Sequence, residues 1–276
     1  MVVPRSLLGY YNHVVVGSDH GVICIRSFVG ERNSTILLWN PLIEREQLIP
    51  DDTHGHCCFS TSVFSFGYLE DSMEHSIVHI FKCNHTTKRF RWSLYDSWGK
   101  GWNNRGFIDS TIERLGPKSV GQKGYVHWLG WGGVQQLQPT HVAIFDMENM
   151  TWFDTLIPER AKTTYHSLID FNDGVGFILY QNVWVNRSIQ VWQLVQQGRD
   201  GLNWVKMINV RGLGIPLCPS VFIGKDIISV LECSGGFAVG NDTHRTELWI
   251  TMLKYKTTQV EQLLHNSWQE ELCVNQ

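Results

Sequence analysis

The sequence predicts an all-β fold, a β-propeller of five or six four-stranded blades, the last of them incomplete if the count is six. Three observations carry this. Apolar and β-branched runs of about six residues recur with Gly, Pro, Asn and Asp between them, and no stretch keeps a long helical period. A strand–turn–strand unit recurs, and its tryptophans Trp102, Trp152 and Trp204 lie 50 and 52 residues apart. The 276-residue chain also carries 12 Trp and 25 Gly, which suits aromatic strands joined by tight turns. A spacing near 50 is the kelch-type period, one four-stranded blade per repeat, so the propeller is expected to be kelch-like.

Taken in order, residues 1–12 read as a lead-in. Residues 14–16 and 22–25 read as two strands whose hairpin turn is bracketed by Gly17 and Gly21. Residues 36–39, a turn at Asn40-Pro41 and a strand ending Leu48-Ile49-Pro50 complete the first unit, and residues 51–62 are polar and loop-like. Residues 63–68 and 76–81 predict a hairpin that 90–102 continues. An irregular connection is expected from Gly101 to about Ser119. Residues 121–131 read as a turn and an alternating strand that pairs with 142–145. Asp146 to Thr151 supply turn chemistry, since Asp and Asn side chains bond nearby backbone. Trp152 restarts a strand that ends at Pro158.

Further on, residues 166–180 predict a hairpin around Asn172-Asp173-Gly174, followed by strands at 189–194 and 204–208. A hairpin over 220–231 has Gly224-Lys225-Asp226 at its tip. A polar, Gly-rich loop precedes a degenerate last unit at 248–253 and 259–264, and 265–276 is a tail. The units lie near 13–50, 63–102, 121–158, 166–210 and 220–264, so 13–264 is expected to form one interaction domain.

A formal net charge of −3 and a pI near 6.4 supply no global basic excess for nucleic acid. No apolar run reaches the roughly 20 residues of a membrane helix, and the N-terminus shows no signal-peptide pattern. The seven cysteines follow no regular spacing and mostly sit in apolar strands, as expected of reduced, buried thiols in a cytoplasmic or nuclear protein. Asn-x-Ser/Thr sequons at Asn33, Asn84, Asn149, Asn186 and Asn241 fall in expected turns and are read as a by-product of turn composition.

Candidate chemistry is sparse. Ser18-Asp19-His20 holds the residue types of a hydrolytic relay, but neighbours in one turn cannot converge on a substrate, so a turn is the expectation. His54, His56, Cys57, Cys58, Cys83 and His85 have metal-ligand chemistry without zinc-site spacing, so no metal is expected. Asp154, Asp170 and Asp173 are read as turn carboxylates and not as a glycosidase pair. No phosphate loop, dinucleotide fingerprint or nucleophile elbow occurs, and no cofactor or catalytic residue is assigned. Trp98, Trp102, Arg105, Trp131 and Trp184 fall at strand ends or connections. Trp and Arg dominate binding hot spots, so these five are the candidate partner-binding residues.

Several segments, in order, resemble a known family. Gly17-Ser18-Asp19-His20-Gly21-Val22-Ile23-Cys24, Leu37-Leu38-Trp39-Asn40-Pro41-Leu42, Phe66-Gly67-Tyr68, Gly124-Tyr125-Val126-His127-Trp128-Leu129, Ile144-Phe145-Asp146 running to Leu156-Ile157-Pro158, and Ile189-Gln190-Val191-Trp192 running to Trp204 resemble the plant F-box-associated domain. Asp19-His20 and Ser72-Met73-Glu74-His75 depart from its pattern, both in expected turns. In that family an F-box precedes this domain and docks on the Skp-family adaptor of a cullin ubiquitin ligase. No room for one is read before Val14.

The resemblance implies a substrate-recognition module that binds an unknown target protein and engages the adaptor only if an F-box is supplied. The alternatives are a propeller-fold carbohydrate-binding protein or hydrolase, or a non-functional truncated remnant.

Overall fold

The computed structural model describes residues 12–29, 33–50, 52, 62–82, 89–97, 100–133, 135–158, 164–171, 174–183, 186–197, 201–211, 220–223, 227–234 and 247–254. All regular elements among them are strands, arranged in five antiparallel sheets. The first blade holds β1 (Asn12–Asp19), β2 (Val22–Val29), β3 (Asn33–Asn40) and β4 (Arg45–Pro50). The second holds β5 (Ser62–Leu69), β6 (Glu74–Phe81), β7 (Phe90–Asp96) and β8 (Gly101–Ile108). The third holds β9 (Arg114–Gln122), β10 (Tyr125–Trp131), β11 (His141–Asp146) and β12 (Thr151–Leu156). The fourth holds β13 (Thr164–Phe171), β14 (Gly174–Val183), β15 (Asn186–Gln197) and β16 (Gly201–Arg211). The fifth shows β17 (Ser220–Ile223), β18 (Ile227–Ser234) and β19 (Glu247–Lys254). Its expected last strand, 259–264, lies outside the described residues. Within every sheet the strands follow chain order, the meander of a propeller blade.

Two compact units contain these blades, residues 1–160 with the first three and residues 161–276 with the other two. In the first unit, side-chain alternation decides which blade meets which. From the second blade, Val63, Val78, Ile80, Trp92, Leu94 and Ile108 point one way and pack with Ile112, Leu115, Val126, Trp128, Ala143 and Phe145 of the third. The opposite side presents Phe64, Phe66, Ile77 and Tyr95 to Cys24, Ile36, Leu38 and Ile49 of the first. Covered on both sides, β5 and β6 read as nearly continuous apolar runs. Burying one such side chain contributes about 1.5–3 kcal/mol. Burial also pushes the Cys24 thiol up, keeping it protonated and inert. In the second unit, Phe171, Val175, Phe177, Leu179, Ile189 and Val191 are buried, and Trp204 tilts against Phe177 at 5.8 Å.

Two sequence expectations are corrected. The stretch from Gly101 to Ser119 is not irregular: β8 runs to Ile108 and β9 begins at Arg114. Its Asn, Gly and Pro residues masked the alternation, and bulged registers absorb them between Leu94 and Tyr95 and between Trp128 and Gly130. Gly17 does not bracket the first turn. The turn is His20-Gly21, with both residues at positive φ (46° and 76°), while Gly17 lies inside β1.

Gly17 instead marks a close approach. The innermost strands of the first three blades, β1, β5 and β9, touch one another. A Cβ on Gly17 would stand 3.3 Å from Phe66 Cβ, one on Gly67 2.7 Å from Met147 Cε, and one on Gly121 would overlap the Phe66 carbonyl oxygen. A backbone oxygen cannot swing aside as a side chain can. Gly121→Ala is therefore expected to destabilise by about 2–4 kcal/mol in denaturant titration. Gly133→Ala, whose Cβ would meet only the Gln136 side chain at 3.5 Å, is expected to stay within about 0.5 kcal/mol of the parent.

His127 on β10 is buried, and its Nδ1 lies 3.2 Å from the Val120 carbonyl oxygen. Burial lowers its pKa from 6.5 to about 4, against a smaller upward pull from that backbone contact. The folded state therefore holds a neutral imidazole that the unfolded chain would protonate. The associated stability is complete above pH 6.5 and is lost as pH falls toward 4, up to about 3 kcal/mol. In His127→Leu, the slope of unfolding free energy against pH across that window is expected to shrink by about one proton.

Candidate functional site

The structure separates the expected contact residues. Trp98 and Trp184 lie outside the described residues. Trp102, second residue of β8, is half-buried between the first two blades. Its Nε1 donates to the Pro50 carbonyl at 2.8 Å, and its ring stands edge-on to Tyr95, Phe64 and His79. Arg105 is exposed along β8 and directs Nη2 to Asp52 Oδ1 at 3.4 Å. Trp131 closes β10 with the Arg114 guanidinium 4.3 Å over its ring. Trp102 follows a hairpin turn, whereas Trp131 sits at the strand end away from the Lys123-Gly124 turn, so these two mark opposite ends of their blades.

Of the other sequence candidates, the metal-type set His54, His56, Cys57, Cys58, Cys83 and His85 lies outside the described residues, as does Asp173. Asp154 and Asp170 are not turn carboxylates as expected: Asp154 is paired within β12 and approaches His141 Nε2 at 3.8 Å, and Asp170 is paired within β13.

A charged centre that the sequence reading missed joins the first two blades. Asp52, just past β4, is 3% exposed. Its Oδ2 accepts from Ser93 Oγ and lies 3.2 Å from His79 Nδ1. On the other side of that imidazole, Nε2 meets Ser62 Oγ at 2.7 Å, and the ring lies flat on Phe64 at 4.0 Å. Burial alone would raise the Asp52 pKa; hydrogen bonds from His79 and Ser93, with the attraction of His79 and Arg105, outweigh it and hold the carboxyl below its usual range.

Ser62, His79 and Asp52 thus share the hydrogen-bond order of a hydrolytic relay. Ser62, however, sits on a regular antiparallel pair opposite Phe81, not on the strained strand-to-helix elbow that aligns N–H donors with an oxyanion. His79 is 4% exposed and packed against Phe64, and the same carboxylate is shared with Ser93 and Arg105. The arrangement is a clasp between blades. No local signal marks it, because its members come from five segments, the residue after β4 and strands β5 to β8, and meet only through packing.

Breaking a buried ionic centre by removing one charge costs about 3–5 kcal/mol, less where a neutral isostere keeps some hydrogen bonds. Asp52→Asn is expected to lose about 2–4 kcal/mol at neutral pH. Because the folded pKa is depressed, the stabilisation is present above the ordinary value of 3.8 and is lost as pH falls below it. The gap between parent and Asp52→Asn in pH-dependent unfolding therefore closes in acid.

At the hairpin-turn end, the inner turns are tied together. Asp19 Oδ2 accepts from the Tyr68 backbone N–H at 2.9 Å, and Asp19 Oδ1 lies 2.8 Å from His20 Nδ1. The His20 ring stacks on Tyr68 at 4.1 Å, and His75 Nε2 reaches the Asp19 carbonyl at 3.3 Å. The Tyr68 carbonyl accepts from Gly124 N–H at 3.2 Å, and the Gly124 carbonyl from Met147 N–H at 2.9 Å. Ser18-Asp19-His20 is therefore the end of β1 and the start of its turn, and a docking point for its neighbours.

Comparison with known proteins places this architecture. A search of curated proteins returns no match. Similar solved structures include one from a study of two prolyl endopeptidases, with 14% identity and TM-score 0.46 over 88% of this chain and 35% of that one. The endosialidase of phage phi92 gives 9% identity and TM-score 0.42 over 84% of this chain and 45% of that one. The chain thus spans less than half the length of either structure. The family model described as the F-box associated beta propeller domain matches residues 21–274. With its sheets following one another as meander blades and nearly its whole length under that match, the chain belongs to the F-box-associated β-propeller domain family.

Proposed function

We propose that this chain is a protein-recognition module, the substrate-binding part of an F-box protein that brings a target to a cullin-type ubiquitin ligase. The observation that carries the reading is the family match over residues 21–274. The structure supports it physically. Rigid sheets hold short, internally bonded turns at their ends, so side chains on those turns are presented without a large ordering cost on binding. The Ser62–His79–Asp52 clasp lacks the elbow of a nucleophile, so recognition carries the function and the ligase supplies the chemistry.

Target capture then belongs to the propeller, and adaptor binding belongs to an F-box. In affinity capture from extract with quantitative mass spectrometry, this chain is expected to enrich a reproducible set of proteins. A version fused to an F-box is expected to enrich the same set plus a Skp-family adaptor. Recovery of the adaptor by the chain alone, or of no specific protein by either version, would overturn the reading.

A further inference from the structure

Three hairpin turns of the first unit, the outer turns of the first and third blades and the inner turn of the second, place a bare apolar side chain beside a carboxylate. The first blade's turn, 41–44, exposes Leu42 (85%) and Ile43 (60%) beside Glu44. In the second blade, turn 70–73 exposes Met73 (77%) after Glu70 and Asp71, and in the third, turn 147–150 exposes Met150 (40%) after Glu148. All these turns connect odd strands to the even strands that follow, so they share the hairpin-turn end of the unit. Hydrogen bonds from Asp19 through Tyr68 and Gly124 to Met147 link the inner turns to the third blade's outer turn.

Two features accompany this pattern, the first shared with the other turns of this end, where His20, Glu44, Lys100 and Lys123 also stand at positive φ. Met73 and Met150 stand at positive φ, 55° and 56°. That region disfavours L side chains and is usually occupied by Gly or Asn. A flexible thioether is thus kept at a strained tip where a glycine would be more stable, and methionine is a favoured residue of adaptable binding surfaces. The charges also lean negative. Against Glu44, Glu70, Asp71 and Glu148, the cations among the described residues on or next to these turns are Arg45, Lys100 and Lys123. No cation pairs with these four carboxylates among the described residues.

We propose that this end of the first three blades docks a basic segment of a partner protein, with Lys or Arg side chains meeting Glu44, Glu70, Asp71 and Glu148 and intervening apolar side chains resting on Leu42, Ile43, Met73 and Met150. The inference rests on the protein-recognition reading and adds to it the end that binds and the chemistry of the target. Charge complementarity selects the occupant, and the apolar tips hold it in place once the charges have steered it.

The probe is a short fluorescent peptide of alternating Arg and Leu, read by anisotropy against a control with Glu in place of Arg. The parent protein is expected to bind the Arg-Leu peptide, more weakly as salt is raised, and not the Glu-Leu control. Combined Glu70→Lys, Asp71→Lys and Glu148→Lys is expected to weaken binding about tenfold or more. Met73→Gly with Met150→Gly relieves the strained φ, so thermal stability holds or rises while affinity falls by a similar factor. Leu137→Ser, on the loop between β10 and β11 at the opposite end, is expected to leave affinity unchanged.

Equal binding of the acidic peptide, or indifference to both sets of turn variants, overturns the proposal. The capture experiment, repeated with the charge-reversed protein, separates it from the reading beneath it. Targets retained by that protein refute this docking surface and leave the recognition module standing. Absence of specific capture by every version refutes the module itself.

Discussion

Contact among the innermost strands governs the first unit. β1, β5 and β9 approach until a single added carbon on Gly121 would overlap the Phe66 carbonyl oxygen. Such proximity is open only to glycine, and Gly17, Gly67 and Gly121 supply it once per blade. With the inner strands this close, the outer parts of the sheets diverge like spread pages. Large side chains then fill the widening wedges: Phe64, Phe66 and Ile49 in one, Trp92, Trp128 and Phe145 in the next.

The wedge between the first and second blades carries a further constraint. Asp52 is buried where the chain crosses from one sheet to the next, and a buried carboxylate is tolerated only when it is saturated with donors. Ser93, His79 and Arg105 saturate it, and Ser62 completes the second nitrogen of His79. The carboxylate is thereby held ionised, and the crossing is pinned. The resemblance to a catalytic relay reflects a shared need to orient an imidazole, met here to hold blades together.

Away from the wedges, the outer turns obey a local rule that repeats. Asn40 Oδ1 accepts from the Leu42 and Ile43 N–H groups at 3.0 and 3.3 Å, and Asp146 Oδ1 from Glu148 and Asn149 at 2.9 Å each. Each loop ends on a residue at positive φ, Glu44 or Met150, and Lys100 closes the corresponding turn of the second blade in the same way. The side-chain cap replaces hydrogen bonds that a short loop cannot make to its own sheet. The residues on top of the turn are consequently free to vary, and they carry the exposed apolar and acidic groups.

Much of this was legible without coordinates. Period-two alternation, turn residues and the recurring tryptophan marked the strands and the blades they form. The turns at Asn40 and Asp146 were recognisable from their side chains, because a cap bonds its own neighbours. Sequence alone sets Gly17 at a turn and makes β8 and the start of β9 irregular, because glycine in a strand is locally indistinguishable from glycine in a loop. Type and position alone make Trp102 and Arg105 contact residues, whereas their indole N–H and guanidinium reach Pro50 and Asp52, more than fifty residues away in the chain. The sequence by itself determined most of the elements, their order and the family, since these follow from local pattern. Only the tertiary structure decided which glycines touch backbone, which carboxylate is buried and which side chains stay in solvent, since those depend on what a different blade brings alongside.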